Sequence, residues 1–267
     1  MNAASDANMD MFHDHSRRYR DDLLFAQPRS SCYGDCPICC LPLPLVSSCH
    51  HDIVMMSCCS KMICNGCIYV MRKRNEALNC VCPFCRHPAP TTKEEAKANF
   101  TRRLEANDPH CNRIVGQLHY SRGDYAKAFQ YRTKATEQGD AISHHQLSFM
   151  YMDGKGVEKD IRKSIHHSVE AAIGGHPMSR FNLGAHEWNN GSEERAVKHW
   201  IIAANLGEEN SIKELREAYV EGFLSKDDYA AVLRSYQAAT DAMKSPQRVL
   251  ACMSSFSIGI GGLDFTL

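Results

Sequence analysis

The sequence lacks an excess of charge of either sign, since Lys+Arg and Asp+Glu both number 31. It also lacks an uninterrupted apolar run of about 18 residues that could span a bilayer. Residues 1–10 are polar and acidic and contain no apolar core of a secretory signal. The one basic cluster, Arg72-Lys73-Arg74, has no interleaved aromatic residues. We therefore expect no nucleic-acid or membrane partner, and a chain that stays in the cytoplasm or the nucleus.

Cysteine, in contrast, is abundant and crowded, because 12 of the 14 cysteines lie between Cys32 and Cys85. They include three Cys-x-x-Cys motifs and one adjacent pair: Cys36 and Cys39, Cys64 and Cys67, Cys82 and Cys85, and Cys58 with Cys59. In a reducing compartment, thiols at such spacings favour metal binding over disulfides. The eight thiols suffice for two tetrahedral zinc sites, so we predict two structural zinc ions.

Other uses of these motifs explain the pattern less simply. A thioredoxin-like site needs a single Cys-x-x-Cys within a βαβ unit, and two zinc ribbons need four well-separated motifs. The order and spacing resemble the cross-braced RING-type zinc finger. That resemblance implies that the first and third pairs share one zinc, and that the second and fourth pairs share the other.

The second ligand pair departs from the commonest RING pattern, because Lys61 stands where that pattern has histidine. A protonated lysine has no lone pair for zinc. The string from Cys58 to Cys64 resembles the Cys-Cys-x-x-x-Ile-Cys segment of certain plant and fungal RING ligases, which implies Cys58 and Cys59 as ligands. His51, or else Cys49 or His50, remains an alternative to Cys58, because the 18-residue loop after Cys39 can fold back. The spare thiols are expected to act as small hydrophobes: Cys32, Cys40, Cys49 and Cys80.

A RING resemblance implies a ubiquitin-protein ligase that binds a charged ubiquitin-conjugating enzyme through an apolar groove. Ile38, Ile68 and Pro83 match the groove positions, and Arg86 matches the arginine that bridges the conjugating enzyme and ubiquitin. Packing around zinc is the alternative for the apolar residues, and a solvated surface position is the alternative for Arg86. Such a ligase has no covalent catalytic residue. It holds the charged conjugating enzyme in a reactive conformation and brings the lysine of the target close to it. The alternative function is a non-catalytic zinc-binding scaffold or adaptor.

The rest of the chain is predicted to be mainly helical. We expect a disordered tail over 1–31, including His13 and His15, and the zinc finger over 32–90. A connecting helix over 91–106 should begin at the capping-box residue Thr92. A poorly ordered tail is expected over 244–267, where glycines interrupt an apolar stretch.

Residues 107–243 repeat with a period in the thirties, because Gly139, Gly175 and Gly207 are spaced by 36 and 32 residues. That period, with a glycine at each helix end, predicts an α-solenoid of helix pairs. The Ala-Ala-x-x-Gly, Leu-Gly and Gly-x-Gly-Val motifs resemble the Sel-one-like repeat, a tetratricopeptide relative. Four helix pairs are expected, at 108–139, 141–175, 178–207 and 209–242. The fourth has Arg216 in place of the glycine of Leu-Gly and is expected to cap the array.

The solenoid is expected to bind the protein target. Four histidines fall in its second helix pair: His144, His145, His166 and His167. Adjacent histidines on a helix point in different directions, so we expect surface or groove polarity rather than a metal site.

Overall fold

A computed structural model of the protein describes residues 20–45, 53–74 and 81–253. Helix α1 covers residues 20–25 of these ranges. Two strands and eleven further helices follow in chain order: β1 Ile53–Met55, β2 Met62–Cys64, α2 Asn65–Arg74, α3 Lys93–Glu105, α4 Pro109–Ser121, α5 Tyr125–Thr136, α6 Ala141–Asp153, α7 Ile161–Ile173, α8 Pro177–Asn189, α9 Glu193–Asn205, α10 Asn210–Val220, α11 Lys226–Ala242 and α12 Pro246–Met253. Within the described ranges, every helix is too short or too polar to cross a membrane.

Most of the repeat helices begin where a polar side chain accepts a free N–H group of the first turn. Asp108, Asp140 and Asp160 cap α4, α6 and α7 in this way. The connecting helix α3 begins after Thr92, whose hydroxyl accepts the N–H of Glu95 at 3.1 Å. The Glu95 carboxylate accepts the N–H of Thr91 at 2.7 Å, one residue before the N–H that a capping box uses.

The helix pairs predicted from the repeat form a continuous array. Helix α4 packs on α5, α6 on α7, α8 on α9 and α10 on α11, and each pair contacts the next. Gly154 ends α6 in the left-handed conformation with φ of 72°, as expected of a glycine at a helix end. The Leu-Gly motif of α8 has a packing reason, since a Cβ at Gly184 would lie 2.4 Å from Trp200 Nε1. The mainly helical solenoid is therefore confirmed.

The fourth helix pair closes a core that the third begins. Trp200 of α9 is buried with Leu215 of α10 and Val232 of α11. Helix α11 contacts α9 as well as α10. Because Leu215 occupies the repeat leucine position, Arg216 follows it without disturbing this core, and its side chain is exposed.

The cysteine segment folds into a small module around a two-stranded antiparallel sheet, in which Ile53 pairs with Cys64 and Met55 with Met62. Met55 also packs against Phe100, Cys111 and Val115, which belong to α3 and α4. The module is therefore docked on the start of the helical array.

Both predicted tails need correction. Residues 20–31 of the expected disordered tail are packed on the array, and Leu24 is only 5% exposed. Residues 246–253 of the expected C-terminal tail form α12, which packs on α2 of the cysteine module. A Cβ at Gly66 would lie 2.7 Å from the backbone nitrogen of Arg248, so the two helices approach closely. His13, His15 and residues 254–267 lie outside the described residues.

Candidate metal centre

Three tight turns with the same backbone hydrogen bonds present most of the thiols. In the first, the N–H of Cys36 binds the carbonyl of Leu41 at 2.8 Å, and the N–H of Cys40 binds the carbonyl of Cys36 at 2.7 Å. The turns that begin at Met56 and Cys82 repeat both bonds. The residue after the last cysteine of each turn is left-handed: Cys40, Ser60 and Arg86, with φ of 55°, 58° and 57°.

The middle turn differs from the other two at its first position, where Met56 replaces a cysteine. Its thiols come instead from the third and fourth positions, Cys58 and Cys59. This irregular pair therefore sits on the same backbone scaffold as the Cys-x-x-Cys turns. Lys61, where the commonest pattern has histidine, is exposed.

The eight predicted ligands come together in two groups. Cys36, Cys39, Cys64 and Cys67 form one group, and Cys58, Cys59, Cys82 and Cys85 form the other. Within each group, all four sulfur atoms lie within 4.8 Å of one another. Each group thus joins two pairs that alternate along the chain.

The sulfur spacing fits a tetrahedral metal ion. A Zn–S bond of about 2.3 Å implies sulfur atoms separated by about 3.8 Å along the edges of the tetrahedron. The Sγ atoms of Cys36 and Cys67 are 3.8 Å apart, and so are those of Cys39 and Cys64. In the second group the Sγ atoms of Cys59 and Cys82 are 3.7 Å apart. The pair Cys58 and Cys85 is closer, at 3.4 Å. Both groups can therefore hold a metal ion.

The pKa values of the thiols differ in direction within the two groups, since those of Cys36 and Cys82 are lowered and those of Cys58 and Cys67 are raised. Burial raises the pKa of the Cys36 thiol, but hydrogen bonds from the backbone N–H groups of Cys64, Cys39 and Ile38 outweigh it and lower the pKa to about 7. Burial raises the pKa of Cys58 well above its usual range, and the neighbouring thiols of Cys85 and Cys82 raise it further. A bound cation would lower the pKa of these thiols, because it stabilises the thiolate, which is the form that binds a metal.

The residues expected to contact a conjugating enzyme divide into two sets. Ile38, Pro83 and Arg86 are exposed, and Ile38 keeps 39% of its surface. Ile68 is buried with Cys36, Leu43 and Ile63 in the core of the module. Its packing role, the alternative considered from the sequence, is the one that the structure shows.

The remaining cysteines have separate surroundings. Cys32 is partly buried, and burial raises its pKa to about 12, with the charge of Asp140 adding to the effect. Cys40 is exposed rather than buried, which corrects the expectation of a packed hydrophobe. Cys58 lies among the thiols of the second group. Its alternatives as ligands, Cys49, His50 and His51, lie outside the described residues, and so does the spare thiol Cys80.

One residue beside the first group was not predicted from the sequence. Arg248 of α12 donates hydrogen bonds to the carbonyls of Pro42 at 2.7 Å and Leu41 at 3.3 Å. Its Nη2 also lies 3.7 Å from Cys39 Sγ. The chain separation of more than 200 residues hides this contact from local sequence patterns.

The four histidines were expected to give surface or groove polarity, and three of them are half-buried. His144 Nδ1 and His167 Nδ1 lie 2.9 Å apart between α6 and α7. His145 stacks on His176 with ring centroids 4.0 Å apart and hydrogen-bonds to Ser179. Burial lowers the pKa of His145 to about 4 and that of His176 to about 2. Only His166 of the four is exposed, so the others belong to the packing between helices.

The helical array has recognisable relatives. The Sel1 repeat family matches residues 115–140, 141–176 and 178–208. The chain carries three Sel1 repeats. They are the Sel-one-like repeats expected from the sequence, and the matched residues all lie within the helical array.

Two solved structures resemble the chain. A Sel1 repeat protein from Oxalobacter formigenes is 26% identical, with a TM-score of 0.46, over 67% of this chain and 72% of that one. A protective antigen present in uropathogenic Escherichia coli strains, displaying an SLR fold, is 24% identical with a TM-score of 0.45. That match covers 61% of this chain but 35% of the antigen, so the chain spans about a third of its length.

Proposed function

We propose that this protein is a metal-stabilised interaction scaffold, in which the Sel1 repeats bind a protein partner and the cysteine module offers a second contact surface. The observation that carries the proposal is the array of three Sel1 repeats with the module docked against its first helices. Stacked helix pairs present an extended surface that suits protein segments. A site for such reduced thiols is compatible with the cytoplasm or the nucleus.

Zinc is the metal that we propose for both groups. Four thiolates in a tetrahedron are the usual ligand set of structural zinc. Such a site has no open position for water or substrate, so its role would be to hold the module together. Structural zinc contributes about 10–16 kcal/mol to small modules at neutral pH, which compensates for a core as small as the one around Leu43 and Ile63.

Two-surface binding can be tested by affinity purification of the full chain with quantitative mass spectrometry. The scaffold predicts two separable sets of partners. Lys198→Glu, on the exposed face of α9, should reduce one set, and Ile38→Ala, on the module, should reduce the other. Lys213→Glu, exposed on α10, is the matched control for the added charge. An identical partner set in all variants would contradict the proposal.

A second candidate is the RING-type ubiquitin ligase, and the alternation of the thiol pairs favours it. A cross-brace joins the first pair to the third and the second to the fourth, which is how the two thiol groups are composed. In that case the module would hold a charged conjugating enzyme and ubiquitin, and the Sel1 repeats would hold the target. Ile38, Pro83 and Arg86 are exposed and available for such a contact, whereas Ile68 supports them from the core.

The two candidates separate in one reconstitution with activating enzyme, a panel of conjugating enzymes, ubiquitin and ATP. The ligase predicts ubiquitin chains that disappear in Ile38→Ala and Arg86→Ala variants with unchanged zinc content. Arg234→Ala, an exposed position on α11, is the matched control. Absence of chains with every conjugating enzyme would reject the ligase and leave the scaffold.

A further inference from the structure

Residues 20–27 lie along a face built by α7, α8 and α9 and are held there by polar contacts at both ends. Arg195 of α9 binds the two carboxylate oxygens of Asp21 at 3.1 and 3.3 Å. Arg20 forms an ion pair with Glu170 of α7 at 2.5 Å. At the other end, Asn205 donates to Gln27 at 3.0 Å. Arg20 and Asp21 of the segment thus each face an opposite charge on the repeats.

Apolar side chains fill the middle of this contact. Leu24 is buried against Ala172 of α7 and Leu183 of α8. The ring of Phe25 lies 4.8 Å from the ring of His199, and the guanidinium of Arg195 lies 4.8 Å from the centre of the Phe25 ring. Two adjacent apolar residues after an acidic pair therefore anchor the segment.

The face beneath the segment carries cationic and polar groups that an isolated helical core would not retain. Arg180 is fully buried, and its guanidinium donates to the backbone carbonyls of Leu24 and Ala26. Its Nε has no partner among the described residues, and neither ring nitrogen of the fully buried His199 has one there. A buried cation is costly unless acceptors compensate it. The acceptors here come from residues 24–26, which behave as a ligand of the repeats.

The site continues beyond the segment. A cleft of about 660 Å³ opens beside Asp21 and Phe25 and is lined on the other side by Lys198, Ile201 and Ile202. A second cleft of about 530 Å³ shares Lys198 and Ile201 and extends to Phe223, which is 45% exposed. The segment therefore occupies one part of a longer groove with apolar walls and a cation at its centre.

We propose that this groove is a recognition site for a short helical protein segment with an acidic pair followed by adjacent apolar and aromatic residues, and that residues 20–27 occupy it in cis. The inference rests on the proposed role of the Sel1 repeats in binding a protein, and it names the surface and the chemistry of the partner. A partner of this type competes with residues 20–27. The apparent affinity of the partner equals its intrinsic affinity multiplied by the fraction of chains in which the segment is undocked.

The test uses the full metal-loaded chain and a fluorescent peptide with the sequence of residues 20–30, monitored by anisotropy. Leu24→Asp in the chain releases the internal segment without changing the groove. We expect this variant to bind the peptide about tenfold more tightly than the wild-type chain does, because the groove is vacant. A peptide carrying Leu24→Asp is the matched control and should not bind.

The groove side of the contact is tested in the released variant. Adding Arg195→Glu should weaken binding about tenfold, and a peptide with Asp21→Arg should recover part of that loss through the swapped charges. Lys213→Glu, outside the groove, should change nothing. If Leu24→Asp does not yield folded protein, Arg20→Glu, which is half-exposed and would oppose Glu170, serves as the releasing variant.

Equal affinity of wild-type and released chains, or binding that is insensitive to Arg195→Glu, would overturn the inference. A wild-type dimer that the peptide dissociates would also overturn it, because the occupant would then be a second copy of the chain. The partner sets purified with the wild-type and Lys198→Glu chains do not require residues 20–27 to compete for the groove. The proposed function can therefore hold when this inference fails.

Discussion

Arg248 Nη2 lies 3.7 Å from Cys39 Sγ and so connects the C-terminal helix to the first thiol group. The same guanidinium donates to the carbonyls of Pro42 and Met243 at 2.7 and 2.5 Å. A cation beside thiolates stabilises their charged form, and donors around a metal ligand fix its orientation. Arg248 is therefore a positioning residue for the first group.

We predict that Arg248→Met weakens zinc binding at the first group about tenfold, which is the lower range for the loss of an outer contact to a metal ligand. The second group should keep its affinity, since Arg248 contacts no thiol of that group among the bonds described. Competition with a chromophoric chelator resolves the two sites. Arg234→Met, exposed on α11, is the control and should release both ions as the wild type does. Equal weakening of both sites would contradict the assignment.

Gly66→Ala should loosen α12 from α2, because the added Cβ would meet the Arg248 nitrogen at 2.7 Å and the Gln247 carbonyl carbon at 2.9 Å. Backbone atoms cannot move aside as a flexible side chain does, so the helices must separate. Hydrogen exchange should increase in residues 246–253 and not in α8 and α9. Unchanged protection of α12 would show that the close approach is not required.

Gly184→Ala should destabilise the repeat array by about 1–3 kcal/mol, the usual cost of overpacking a core. The Cβ would meet Trp200 Nε1 at 2.4 Å and Cδ1 at 2.6 Å, and Trp200 is only 2% exposed. Urea unfolding followed by tryptophan fluorescence reports on this region, because both tryptophans, Trp188 and Trp200, lie in it. Asn189→Ala, at the exposed end of the same helix, is the control and should change stability little.

The repeat array should lose stability as the pH falls below about 6.5, the value for an unfolded histidine. Burial lowers the pKa of His176 to about 2 and that of His199 to about 3 in the folded chain, and the charges of Arg180 and Arg195 add to the effect at His199. Above pH 6.5 both histidines are neutral in the folded and in the unfolded chain, so they do not make the free energy of unfolding depend on pH there. Below it the unfolded chain takes up protons that the folded chain does not, which favours unfolding by up to about 2 kcal/mol per histidine at pH 5.

The pH dependence is measured by urea unfolding at pH 7 and pH 5, again by tryptophan fluorescence. His176→Asn should reduce the loss of stability, because asparagine keeps the N-cap hydrogen bond to Ser179 but does not titrate. His186→Asn, exposed on the same helix, should leave the loss unchanged. An identical loss in His176→Asn and wild type would assign the effect to other groups.

The helical array and the thiol pairs themselves were predictable because their signals are local, whereas the way in which the pairs combine into two groups came from the resemblance to the RING-type zinc finger. A glycine at a fixed interval, or two cysteines separated by two residues, constrains the backbone wherever the segment lies. The docked ends were not predictable. Residues 20–27 form a short segment of mixed polar and apolar residues without a repeat signal. Their packing depends on Arg180 and Arg195, which are more than 150 residues away in the chain.

The histidines and Ile68 show a second limit of sequence reasoning. His145 was expected to give surface or groove polarity. It is half-buried instead, and its imidazole stacks on His176 and hydrogen-bonds to Ser179. Ile68 follows the predicted ligand Cys67. Its place in the sequence does not show whether its side chain lies in an exposed groove or in the core of the module. The packing around Leu43 and Ile63 decides this.

The most direct test of the account is the zinc content of the purified full chain, measured by plasma mass spectrometry together with protein concentration. Two alternating groups of four thiols predict two zinc ions per chain. Cys36→Ser and Cys82→Ser should each reduce the content to one, because each removes a ligand from a different group. One zinc ion or none in the wild-type chain would contradict the account.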